Sequence, residues 1–163
     1  MRRLTVLACL ATGVAAFTPG ATPVAATTAS SDGTLSVRDA RGSIALEIRG
    51  TVIGRFDKGT MTVVDPIEDD GVGPLVRGAK RVRPLSAVAT TYAGNLVRFR
   101  LIGGRYGVRI AGTGVDLSVV GKGMVVLDGD LVGANGEYAF NGEDYQPMPF
   151  QRTKFALNST TAD

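Results

Sequence analysis

Asp128 and Asp130, two residues apart around Gly129, come closest to a catalytic or metal-binding pattern in this sequence. A glycosidase needs two carboxyl groups facing one another across a cleft. On a strand, residues two apart share one face of a single segment, so this pair has the wrong disposition for that chemistry. The stretch Asp128-Gly129-Asp130-Leu131-Val132-Gly133 also begins like a calcium loop, with carboxylates at loop positions one and three and glycine at six. Val132 at position five and Ala139 at position twelve then lack the oxygen donors such a loop requires. Asp128 and Asp130 are therefore weak calcium candidates, and Glu68-Asp69-Asp70-Gly71 forms a second acidic loop. Ser118 and Lys122, four apart, do not make a recognised serine-lysine arrangement.

Histidine is absent, and the one cysteine is Cys9. A Ser-His-Asp triad and a Cys-His pair are thereby excluded, and zinc loses its commonest ligands. No cofactor is implied. These absences favour a non-catalytic protein, with a carboxylate-dependent hydrolase acting on envelope polysaccharide as the alternative.

Four arginines carry the remaining chemistry: Arg98, Arg100, Arg105 and Arg109. Val97-Arg98-Phe99-Arg100-Leu101 alternates, Gly103-Gly104 offers a tight turn, and Tyr106-Gly107-Val108-Arg109-Ile110 alternates back. A hairpin around Gly103-Gly104 would set Arg98 opposite Arg109 and place all four arginines on one outward face. Like charges directly opposite are mildly destabilising, so neighbouring carboxylates such as Asp116 or an anionic ligand would offset them. The ligand expected is an anionic envelope polymer or a lipid surface. Arg77, Lys80, Arg81 and Arg83 form a second basic run. Nucleic acid is not the expected partner, because the chain has no tryptophan, is 6% aromatic and would be close to neutral in net charge once Arg2 and Arg3 are removed with a signal segment.

The elements that must hold these residues are strands. Met1-Arg2-Arg3, the apolar Leu4–Phe17 and the small residues Val24-Ala25-Ala26 have the order of a secretory signal peptide. Residues 1–26 are accordingly expected to be cleaved and the protein to be secreted or held in the cell envelope. Removal of Arg2 and Arg3 lowers the net charge from +3 to +1. Residues 27–33 read as a flexible lead-in, 34–155 as one β domain and 156–163 as a disordered tail containing the sequon Asn158-Ser159-Thr160. Leu35–Arg38 and Ile44–Arg49 alternate with period two, and Asp39–Ser43 between them predicts a first hairpin.

GSIALEIRGT from Gly42 and GRYGVRIAGT from Gly104 lie 62 residues apart and read alike. Gly50 then matches Gly112, and Asp57-Lys58-Gly59 matches Gly121-Lys122-Gly123 after a two-residue gap. Two repeat halves, about 34–85 and 96–148, follow from this. The fold class expected is all-β, an antiparallel sandwich or barrel built from two pseudo-repeated hairpin units. A β-roll or solenoid is the alternative.

The run Phe99–Tyr106, followed by Gly112–Gly123, resembles exported β-rich proteins of high-GC actinobacteria over about residues 35–150. The resemblance implies an exported β-domain and supplies no catalytic or binding residue. The function expected is thus an exported non-catalytic β-domain with a binding or structural role in the envelope or extracellular space.

Overall fold

The computed structural model describes residues 31–67, 69–130 and 135–158. The expected signal segment with Cys9, most of the expected lead-in, Glu68, Leu131–Ala134 and Ser159–Asp163 lie outside the described residues. Among the described residues every element is a strand: β1 (Gly33–Val64), β2 (Val72–Ser86), β3 (Ala89–Ile102), β4 (Arg105–Gly129), β5 (Glu137–Phe140), β6 (Gln146–Pro147) and β7 (Thr153–Leu157). They form one antiparallel sheet in the order β2-β3-β1-β4-β7, with β5 added to β1 and β6 to β5.

β1 has 32 residues. Drawn straight at about 3.3 Å per residue, such a strand would run about 105 Å. A domain of this size has a radius of gyration of only about 14 Å, so β1 must bend. It bends against β4, with which it pairs on both edges. Ile44 is opposite Ile110 on one side and Leu127 on the other, and Ile110 is itself opposite Met61 as well.

Glycines meet where the two strands turn. Gly50 pairs with Gly121, and Gly59 with Gly112. Both Gly50 and Gly121 have φ of 152°, a region that side chains avoid. A Cβ on Gly50 would collide with the Val120 carbonyl oxygen, and one on Gly121 with the Arg49 carbonyl oxygen. The two pairs are related by the same 62-residue offset that the sequence carries, which takes Gly50 to Gly112 and Gly59 to Gly121.

Two lateral runs of paired segments cross the sheet. One passes through Phe155, Val125, Leu46, Val108, Val63 and Thr90 to Pro84 of β2. The other passes through Gln146, Tyr138, Val37, Leu117, Gly54 and Phe99 to Val76 of β2. Alternate residues along each strand point to a single core that includes Leu46, Val108, Val125, Val37, Leu117, Phe99 and Tyr106, all buried. The bends thus let one long sheet turn the apolar side of both runs toward shared contacts.

Three expectations need correction. Asp39–Ser43 does not close a hairpin: β1 runs through it with a register shift between Val37 and Ala40. The extra residue is absorbed by a bulge, with Asp39 at φ 45°. Nor do β3 and β4 form a hairpin around Gly103-Gly104, because each takes β1 as its neighbour. The turn's hydrogen bonds go outside a hairpin: Gly104 O accepts from Gly50 N at 2.9 Å, and Arg105 N donates to Asp70. Pairing that buries Phe99 against β1 outweighs the local preference of a Gly-Gly turn. Finally, β7 extends past residue 155, where the tail was expected to begin. Leu157 is buried opposite Gly123, and burying a leucine side chain stabilises by about 1.5–3 kcal/mol.

Candidate anion-binding groove

In β3, Val97, Phe99 and Leu101 are buried, which turns Arg98 and Arg100 outward. Arg98 lies opposite Arg55 of β1 on one side and Arg77 of β2 on the other. Arg55 in turn lies opposite Asp116 of β4. Beyond Asp116 comes Arg38 of β1, opposite Glu137 of β5. One lateral row of outward side chains therefore reads Arg77, Arg98, Arg55, Asp116, Arg38, Glu137.

The β1 bulge organises the middle of this row. Asp116 Oδ1 accepts from the displaced Asp39 N–H at 2.9 Å, and Oδ2 accepts from Arg55 Nε at 2.6 Å. Partial burial pushes the Asp116 carboxyl up. The Asp39 N–H, the Arg55 hydrogen bond and the charges of Arg55 and Arg38 outweigh it and hold the group below the usual carboxylate value. The same hydrogen bond, then the Asp116 charge, raises Arg55. Arg38 sits 3.5 Å from Glu137 and stacks on Tyr145, its guanidinium carbon 3.8 Å from the ring centroid.

Ion pairs thus occupy Arg55 and Arg38. Among the described residues Arg77, Arg98 and Arg100 have no carboxylate within 4 Å. These three stand together, since Arg77 is opposite Arg98 and Arg100 follows two residues along the same strand. An open groove of about 700 Å³ runs over the row, bordered by Arg38, Arg55, Arg98 and Tyr145, with Ile53, Ser36 and Ser118 along it. A second depression of about 390 Å³ lies beside it between Leu75, Arg77, Arg98 and Arg100. Guanidinium groups grip phosphate and carboxylate through paired N–H donors. A stacked aromatic and flanking hydroxyls suit the rest of a polar chain.

The four arginines singled out from the sequence do not share a face. Arg98 lines both the groove and the depression beside it, and Arg100 lines that depression. Arg105 lies opposite Arg49, which is also opposite Lys122. Arg109 lies opposite Ala45 and Thr62, in a separate depression with Glu47, Arg152 and Lys154.

No family model, curated protein or solved structure matches this chain. The assignment of its chemistry therefore rests on the geometry above.

Asp128 and Asp130 fall at the end of β4, away from the arginine row: Asp128 pairs with Ser43, and Asp130 N donates to Arg41 O. Buried Asn135 donates from its side-chain amide to the Asp130 carbonyl. Among the described residues no group of three or more His, Cys, Asp or Glu is disposed to hold a metal ion.

Arg38, Arg55, Arg77 and Tyr145 were not expected in one site. Arg55 carried a usable signal, because Gly54-Arg55-Phe56 continues the strand alternation. The assumed hairpins hid its place between Asp116 and Arg98.

Proposed function

We propose that this protein is an exported, non-catalytic β-domain that holds an anionic polymer of the cell envelope in the Arg38–Arg55–Arg98 groove. The observation that carries the reading is the juxtaposition of Arg77, Arg98 and Arg55 across three strands, of which only Arg55 is balanced by a carboxylate. Three guanidiniums in lateral register raise the energy of the empty sheet, and a chain of phosphates or carboxylates lowers it. An open groove suits a polymer better than a small molecule, which needs enclosure on most sides. Export is supported by the Met1–Ala26 pattern and by the resemblance to exported actinobacterial proteins. The reading takes the sheet to be a sandwich closed over its core and made of two copies of one unit, in keeping with the 62-residue offset between its glycine pairs.

The test is calorimetric titration of the protein with poly(glycerol phosphate), at low and high salt. Binding is expected at low salt and should weaken as salt rises. Arg98→Gln/Arg100→Gln should weaken it at least tenfold, while Arg109→Gln leaves it nearly unchanged and uncharged dextran does not bind. Equal binding by the parent and the Arg98/Arg100 double variant would refute the reading.

A further inference from the structure

From Gly71 to Val115 the sequence contains eight arginines and lysines and no Asp or Glu. Six of these cations lie on β2 and β3. The same ribbon carries six of the eleven large apolar side chains exposed among the described residues: Val72, Leu75, Val82, Leu85, Val88 and Leu96. Exposed aliphatics and uncompensated cations are therefore concentrated on one element at the margin of the sheet.

The concentration is tightest at the β2–β3 turn. Leu85 and Val88 flank it, 55% and 45% exposed. Val64, at the end of β1, joins them through its pairing with Ala89. Val82 lies three residues before Leu85 on β2, between Arg81 and Arg83. Among the described residues Asp65 lies at this end, its N–H donating to Val88 O at 2.8 Å. Asp70 is carried away toward Arg105.

β2 is an edge strand, and a free edge invites another strand. This one resists backbone pairing. Pro74 and Pro84 interrupt its donors, its register shifts at four places, and Arg77, Lys80, Arg81 and Arg83 would meet their own copies in an antiparallel dimer. What the edge presents is side chains: an aliphatic tip with a basic collar. That pattern matches the headgroup region of an anionic bilayer, where apolar side chains enter the acyl boundary and arginines meet phosphate.

We propose that the tip of the β2–β3 ribbon docks on anionic lipid bilayers, with Leu85, Val88 and Val82 entering the interface and Arg81 and Arg83 on the phosphates. This surface is separate from the arginine groove, and either reading can fail alone.

The experiment is co-sedimentation with phosphatidylglycerol/phosphatidylcholine vesicles and with pure phosphatidylcholine vesicles. Circular dichroism confirms the fold of each variant. The parent should bind the anionic vesicles and leave the neutral ones. Leu85→Ser/Val88→Ser should weaken partitioning at least tenfold, with the residual binding still salt-sensitive. Arg81→Gln/Arg83→Gln should weaken it comparably and flatten its salt dependence. Arg98→Gln/Arg100→Gln should bind vesicles like the parent. Equal binding by the Leu85/Val88 variant would overturn the proposal. So would loss of binding only in the Arg98/Arg100 variant, which would move the contact to the groove. Sedimentation of the parent as a dimer that Leu85→Ser/Val88→Ser converts to a monomer would also overturn it, by assigning the tip to a second copy of the chain.

Discussion

Replacing Gly50 by alanine tests whether β1 and β4 touch where they bend. Gly103→Ala is the matched control. Both glycines have positive φ, 152° and 77°, but a Cβ on Gly103 meets nothing within 4 Å, whereas one on Gly50 strikes the Val120 carbonyl and the Gly121 Cα. Gly103→Ala should therefore cost only the left-handed strain, about 1–2 kcal/mol. Unfolding a domain of roughly 130 residues releases about 0.27 kcal/mol per kelvin, so that cost lowers Tm by about 4–7 °C. Gly50→Ala carries comparable strain, about 1–3 kcal/mol. It must also push the two backbones apart and weaken the ladder bonds on either side, each about 1 kcal/mol. The sum is about 4 kcal/mol or more, a large part of a typical total stability of about 5–15 kcal/mol. Tm should fall by about 15 °C, or the cooperative transition should vanish. Urea and thermal unfolding followed by far-ultraviolet circular dichroism provide the measurement, with tyrosine fluorescence as a second probe in a chain that has no tryptophan. If Gly50→Ala lies within about 1 kcal/mol of Gly103→Ala, the close crossing is wrong.

Asp116→Asn should lower stability at neutral pH by about 1–2 kcal/mol, the low part of the range for a charged hydrogen bond because the carboxylate is about a third exposed. The Asp116 carboxyl is held below its ordinary value, so its contribution is complete above that value and is lost as pH falls through the folded one. The variant should therefore show a shallower acid limb in urea unfolding below about pH 4, and an unchanged limb would refute the Asp39–Asp116–Arg55 tie. Burial, and then the charges of Asp65 and Asp70, raise the Tyr106 hydroxyl, which donates to Ile102 O at 3.3 Å. Its contribution is complete below the ordinary tyrosine value and is lost as pH rises through the folded one. Tyr106→Phe should thus lose less stability than the parent as pH rises above about 10, measured by urea unfolding; parallel curves would count against it.

Local alternation was the legible part of the molecule. Val97 to Leu101 and Tyr106 to Ile110 alternate as read, and their apolar residues are buried. Partner choice was not legible. Gly103-Gly104 carries the signal of a two-residue hairpin, yet β3 and β4 each pair with β1, because what decides is burial of Phe99 and Tyr106 against residues tens of positions away. Arg98 and Arg100 were identified as outward and basic, but their neighbours Arg55 and Arg77 follow from the β1–β3 and β2–β3 registers, which alternation alone does not specify. The 62-residue likeness was visible, and its meaning was not. It marks equivalent bends in two strands that pair with each other, rather than two self-contained hairpins.

That mutual pairing sets the order in which the chain can fold. β1 emerges first, but much of its backbone must wait for residues 105–129 before its donors and acceptors are matched. Apart from the β2–β3 hairpin, the main strand pairings close long loops, and chains dominated by such contacts fold in about milliseconds to seconds rather than microseconds. A nascent chain halted near residue 100 would hold β2 and β3 against part of β1 while leaving the Ile44–Arg49 segment without either neighbour. The N-terminal half is therefore only partly matched before β4 is made. The Ile44–Arg49 segment gains its neighbours on both sides only when β4 arrives.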